Sequence, residues 1–121
     1  MNRPTIKELD KKIREAKAAI RNQNILLVNQ EAIAEDALEL EYDIAEELYE
    51  VLEELLDEVS SSNYVGSRPP EKSYEEKIKN SDIFPFVINS NRFECKVYLK
   101  FTLAKNIFWL VSLHKNRPFK E

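Results

Sequence analysis

The sequence predicts an α+β domain, with N-terminal helices packed on one face of a small antiparallel β-sheet. Apolar residues recur at helical spacing over roughly residues 5–59, whereas apolar and polar residues alternate over roughly 82–115. The helical runs all precede the strand runs, which argues for α+β order and against alternating βαβ units. With 121 residues, one glycine and 43% apolar content, the chain suits one domain, 1–121, with a single modest core.

The first helix begins at a capping box, Thr5-Ile6-Lys7-Glu8, with Thr at the cap and Glu three residues later. Ile6, Leu9, Ile13, Ala16 and Ile20 form its apolar stripe, and Lys7, Lys11, Arg14, Lys17 and Arg21 its basic faces. Those basic faces fit a solvated surface, or contact with RNA or an acidic partner. Ile25-Leu26-Leu27-Val28 is too short for a helix and reads as an edge strand. Asn29 caps a short helix over 31–40. Tyr42 to Val59 is a longer helix, with Ile44, Leu48, Val51, Leu52, Leu55, Leu56 and Val59 on one stripe. Asp57 and Glu58 in its last turn oppose the helix dipole, so a cationic neighbour is expected, with the N-terminal helix as the candidate.

Residues 60–81 form the loop between helices and sheet, with the only glycine, Gly66, beside Pro69 and Pro70. Residues 71–80 are strongly charged and read as a frayed turn or a mobile stretch. Ile83 to Ile88 is a strand, and Pro85 has no N–H for a ladder, which places it at an edge or a bulge. Asn89-Ser90-Asn91 turns the chain into the main hairpin, and Arg117-Pro118-Phe119 leaves the sheet.

From Phe93 onward Phe93, Cys95, Val97, Leu99, Phe101 and Leu103 face one way, and Glu94, Lys96, Tyr98, Lys100 and Thr102 the other. Cys95 lies on the apolar side and reads as a small buried hydrophobe, not a nucleophile. The second strand, Ile107 to Leu113, ends at the only histidine, His114. A three-residue loop, Ala104-Lys105-Asn106, pairs Leu103 with Ile107, Phe101 with Trp109, Leu99 with Val111 and Val97 with Leu113. Asn106 tolerates the left-handed conformation such a loop needs. This register sets His114 opposite Lys96 and Ser112 opposite Tyr98, with Phe108 and Leu110 on the polar face. A two-residue loop, Lys105-Asn106, would instead put His114 and Ser112 on the apolar face, beside Val97 and Leu99.

Charge is segregated along the chain. Residues 1–22 carry net +4, residues 30–59 carry thirteen carboxylates and no Lys or Arg, and residues 60–121 carry net +5, within an overall −4. Overall acidity weighs against non-specific nucleic-acid binding, which depends on phosphate neutralisation, but leaves room for a local basic site. No apolar run is long enough to span a bilayer. The first residues lack the apolar stretch of a signal peptide, so a cytoplasmic location is expected. One His and one Cys at no ligand spacing predict no metal site and no cofactor. A serine triad through Ser112 and His114 has no third member.

The remaining sharp chemistry is metal-free RNA cleavage, in which the 2′-hydroxyl is the nucleophile and the protein supplies an acid, a base and positive charge. Tyr98 and His114 are the candidate catalytic residues. Lys96 and Lys100 are candidates to hold the phosphate, and Lys115, Arg92 and Arg117 to extend the track. Spacing alone also fits a solvated strand face.

A family resemblance bears on the choice. Lys96-Val97-Tyr98-Leu99-Lys100-Phe101, then Leu110-Val111-Ser112-Leu113-His114 and Pro118, resemble the C-terminal hairpin of the motility quorum-sensing regulator (MqsR) toxins, with Leu113 where Phe is usual. Ser62-Asn63-Tyr64-Val65-Gly66-Ser67-Arg68-Pro69 resembles the family's loop after the third helix, with Val65 where some members carry lysine. Thr5 to Asp10 and Asn24 to Val28 resemble its first helix and short strand. The resemblance implies a RelE-like fold and the toxin of a type II toxin–antitoxin pair, an mRNA interferase acting without metal. The family's active-site tyrosine falls on Tyr98 and its basic or histidine position on His114. The implied partners are mRNA and a cognate antitoxin protein, with no membrane and with room for a homodimer. The competing expectation is a non-catalytic module of the same fold whose acidic helical region, Glu31 to Glu58, binds a basic protein.

Overall fold

Each helix starts where a side chain satisfies its open N–H groups. In the computed structural model, which describes residues 3–117, helix α1 (Ile6–Arg21) opens on the capping box: Thr5 Oγ1 accepts from the Glu8 N–H at 3.1 Å, and Glu8 accepts from the Thr5 N–H at 3.2 Å. Asn29 accepts from the Ala32 N–H and starts α2 (Gln30–Leu40), and Asp43 accepts from the Glu46 N–H and starts α3 (Ile44–Glu58). Glu41 in the left-handed conformation, φ 63°, ends α2 and lets α3 follow after a tight turn.

The helices lie against one face of a four-stranded sheet made of β1 (Ile25–Leu27), β2 (Phe84–Ser90), β3 (Cys95–Ala104) and β4 (Ile107–Lys115), in the order β1-β4-β3-β2. The expected α+β architecture is therefore present. The expected antiparallel pairing holds for β2, β3 and β4, whereas β1 joins β4 in parallel and makes the sheet mixed. Both β1 and β2 are edge strands, as their short length and Pro85 respectively indicate.

The core forms where the helix stripes meet the apolar sheet face. Phe86 stacks on Phe101 at 5.8 Å and Phe101 on Phe108 at 4.8 Å, and all three are fully buried with Leu9, Leu52, Leu55 and Leu56. The acidic last turn of α3 does find a cation on α1: Lys17 Nζ lies 3.6 Å from Asp57. Among the described residues no helix is long and apolar enough to cross a membrane. Pro118 and Phe119, expected beyond the sheet, lie outside the described residues.

Residues 71–80, read as a frayed helical turn or a mobile stretch, contain one 3-10 turn, Glu76–Ile78, and are tied down together with the residues that follow. Lys72 and Asp82 form a bridge, the Ser73 N–H donates to the Ser81 carbonyl at 3.0 Å, the Asn80 N–H donates to the Ser73 carbonyl at 2.9 Å, and Ile78 is buried. Thr102, fully buried on the sheet face away from the helices, donates its hydroxyl to the Asp82 carbonyl, so this segment covers that end of the face.

The hairpin register differs from expectation. β3 begins at Cys95, not Phe93, because residues 91–94 form the turn and Glu94 is left-handed, φ 54°. The β3–β4 loop is the two residues Lys105 and Asn106, with φ 55° and 65°, and Ala104 pairs with Ile107. Phe101 then pairs with Leu110 but Lys100 with Ser112, so Val111 is squeezed out as a β-bulge. That one extra residue shifts the alternation by one. Phe108, Leu110 and Leu113 all become buried, while Ser112 and His114 stay on the opposite face. Phe108 and Leu110 are thus core residues, and His114 faces Tyr98, not Lys96.

Candidate functional site

The open face of the sheet is built mainly by its two central strands. Successive residues alternate sides, so β3 presents Lys96, Tyr98, Lys100 and Thr102 away from the helices, and β4 presents Trp109, Ser112 and His114 beside them. Across β2, Val87 lies opposite Tyr98 and Asn89 opposite Lys96. Two expected catalytic residues and two expected phosphate-binding lysines therefore share one surface.

The Tyr98 and His114 rings stack, with centroids 5.1 Å apart and planes 19° from parallel. The Lys100 ammonium lies 6.0 Å from the centre of the Tyr98 ring. His114 Nδ1 is 2.8 Å from the Lys115 carbonyl oxygen. A carbonyl only accepts, so Nδ1 carries the proton and the neutral ring keeps its lone pair on Nε2. The Tyr98 phenol is held above its ordinary pKa, first by burial and then by the negative charge of Glu71. It is therefore a proton donor, not a base, near neutral pH.

Glu71 was not singled out in the sequence, where it stands in a charged loop with no periodic pattern. In the fold it lines a cleft of about 60 Å³ with Gly66, Ser67, Pro85, Tyr98 and Lys100. The loop that brings it there is pinned to the free edge of β2. The Val65 N–H donates to the Pro85 carbonyl at 3.0 Å, and Tyr64 bridges to Phe86 and packs edge-on against its ring at 5.7 Å. The Tyr64 hydroxyl donates to the Ser67 carbonyl at 2.6 Å. Gly66 sits inside this turn, where an added Cβ would fall 2.5 Å from the Tyr64 hydroxyl and 2.7 Å from Pro85 Cδ. The only glycine of the chain is required there by close approach, not by a left-handed backbone.

The other three expected RNA-binding residues lie elsewhere. Arg92, in the β2–β3 turn, points to α3 and pairs with Glu47 at 2.5 Å, Glu50 at 2.9 Å and Glu54 at 3.1 Å. Its pKa is raised by those carboxylates, Glu50 foremost. Lys115 pairs with Val97 in the ladder, so the bulge register turns it to the helical side, where it lines a depression with Arg92, Glu39 and Glu47. Arg117 pairs with Asp36 at 3.6 Å and Glu39 at 3.3 Å on α2. Charge and position along the chain do not distinguish the two faces, and each of the three is engaged on, or turned to, the acidic helical side. Among the described residues, no three His, Cys, Asp or Glu side chains converge as a metal site.

The arrangement separates charge by face. The open face carries Lys96, Lys100 and His114, with Glu71 beside Tyr98 and Lys100, while Arg92 and Arg117 hold carboxylates of α2 and α3 on the helical side. Compared with protein-family models, curated proteins and solved structures, the chain has no match.

Proposed function

We propose that this protein is a metal-independent endoribonuclease whose open sheet face binds single-stranded mRNA and cleaves it by 2′-hydroxyl attack. The observation that carries this reading is the stacked Tyr98–His114 pair with Lys96 and Lys100 on the same face. In the proposed step, His114 Nε2 takes the proton of the 2′-hydroxyl. The 2′-oxygen bonds to phosphorus, the bond to the 5′-oxygen breaks, and Tyr98 protonates that leaving oxygen. The products are a 2′,3′-cyclic phosphate and a free 5′-hydroxyl. Lys100 and Lys96 offset the charge that builds on the phosphoryl oxygens. The tyrosine and histidine rings, with Trp109 on the same face, offer stacking surfaces for unpaired bases.

The resemblance to the MqsR toxins supports the same residues and extends the reading to a RelE-like toxin, active in the cytoplasm and neutralised by an antitoxin protein. The test is induced expression in a bacterial host, with growth followed and RNA 5′ ends mapped. Growth arrest with new RNA ends in wild type, and neither in folded Tyr98→Phe, is the expected result. Undisturbed growth and intact RNA with soluble, folded wild-type protein would overturn it.

A further inference from the structure

We propose that the groove between α2 and α3 docks a cationic amphipathic segment of a second protein. The surface lies on the helical side and its assay contains no RNA, so it stands or falls separately from RNA cleavage.

α2 carries two apolar rows where packing on the sheet uses only one. Ile33, Ala37 and Leu40 are buried in the core. Ala34 and Leu38, one turn apart, form a second row, and Leu38 is 79% exposed. Together with Ile44 and Ala45 at the start of α3 they floor an open groove of about 740 Å³. Tyr42 lines the same groove while 7% exposed, and its buried hydroxyl has no hydrogen-bond partner. An exposed leucine on a shallow, largely apolar floor has the form of a site for an amphipathic helix, in which a few apolar anchors carry most of the affinity.

Charge selects the occupant. Glu41, Asp43 and Glu47 rim the groove. They belong to a run of thirteen carboxylates over 30–59 without one Lys or Arg. The protein's own cations answer part of this charge: Arg92 takes Glu47, Glu50 and Glu54, Lys17 takes Asp57, and Arg117 takes Asp36 and Glu39. Among the described residues Glu31, Glu35, Glu41 and Asp43 form no salt bridge. A polyanion is repelled by such a rim. A helix with leucine-like residues on one face and lysine or arginine on the other complements both floor and rim.

The probe is a Leu/Lys peptide with leucines at i, i+3, i+4 and i+7, alongside a peptide of the same composition scrambled to remove the apolar face. Binding is followed by amide shifts and titration on the whole chain. The expected result is binding of the amphipathic peptide with shifts centred on residues 34–47, weakened about tenfold or more by Leu38→Ser and by scrambling. Leu38 is largely solvent-exposed, so its replacement leaves the core intact. Equal binding of the scrambled peptide, or no change on Leu38→Ser, overturns the proposal. So does self-association of the free protein that Leu38→Ser abolishes, which would make a second copy the occupant.

Discussion

Tyr98 and His114 face each other across the β3–β4 ladder because Val111 does not pair. The bulge lets a two-residue turn and a correctly sided His114 coexist. Deletion of Val111 removes only the unpaired residue, leaves Lys100 opposite Ser112, and should keep the Tyr98–His114 stack. We expect a folded protein that retains cross-strand NMR contacts between the two rings. Loss of those contacts in a folded deletion variant would show that the bulge does more than correct the register.

The pH dependence of cleavage follows from the environment of Tyr98. An acid with a raised pKa keeps its proton to higher pH, so loss of Tyr98 as donor should set in only above the ordinary phenol value of about 10. Glu71 is one cause of that rise, and Glu71→Gln removes its charge. The alkaline limb of kcat/KM should therefore move to lower pH in Glu71→Gln. An unchanged or upward-shifted limb would remove Tyr98 from the role of general acid.

Much of this was legible in the sequence, and the failures have one physical origin. Caps at Thr5 and Asn29 and the stripes of α1 and α3 are local signals, and they place the helices almost residue by residue. Pro85 marks β2 as an edge because a missing N–H acts wherever it stands. The bulge was the hidden element. Ile107, Trp109, Val111 and Leu113 keep one unbroken alternation in the sequence, so no local signal marks where Val111 leaves the ladder and Phe108 and Leu110 take the core side. Glu71 and the fates of Arg92, Lys115 and Arg117 depend on contacts between segments far apart in the chain, which no local pattern encodes.

Gly66→Ala tests whether the Tyr64 loop shapes the cleft. The new Cβ meets the Tyr64 ring and Pro85 at distances no relaxed contact adopts, so the loop must leave the β2 edge or Tyr64 must leave its place on Phe86. Overpacking of this kind costs about 1–3 kcal/mol. We expect a lower urea midpoint and loss of the Tyr64–Phe86 contact by NMR. A midpoint equal to that of wild type would mean that the loop yields freely and does not wall the cleft.

Arg92 is the clasp between the β2–β3 turn and α3. Its three carboxylates lie along one stripe of α3 and repel one another once the guanidinium is gone. Their partial exposure limits each pair to a few tenths of a kcal/mol, so Arg92→Ala should cost about 1 kcal/mol in all. Screening weakens the repulsion, so added salt should narrow the gap from wild type. A gap independent of salt would assign the loss to packing of the arginine stem.

Tyr42 links burial to alkaline stability. Its phenol is pushed up to about 12 by burial, with Asp36 adding to the shift. The unfolded phenol ionises near 10. The folded state holds the proton more tightly, so this contribution is whole below about pH 10 and is lost as pH rises towards 12. Phe has no proton to lose. The stability of wild type relative to Tyr42→Phe should therefore be flat to about pH 10 and fall beyond it, by roughly 3 kcal/mol at most. At pH near 8 the Phe variant should match or exceed wild type by about 1 kcal/mol, because it removes a buried hydroxyl without a partner. Urea midpoints of both proteins at pH 8 and at pH 11 decide it. If Tyr42→Phe is clearly less stable at pH 8, the hydroxyl is engaged in solution and is not the unpaired donor that the groove holds.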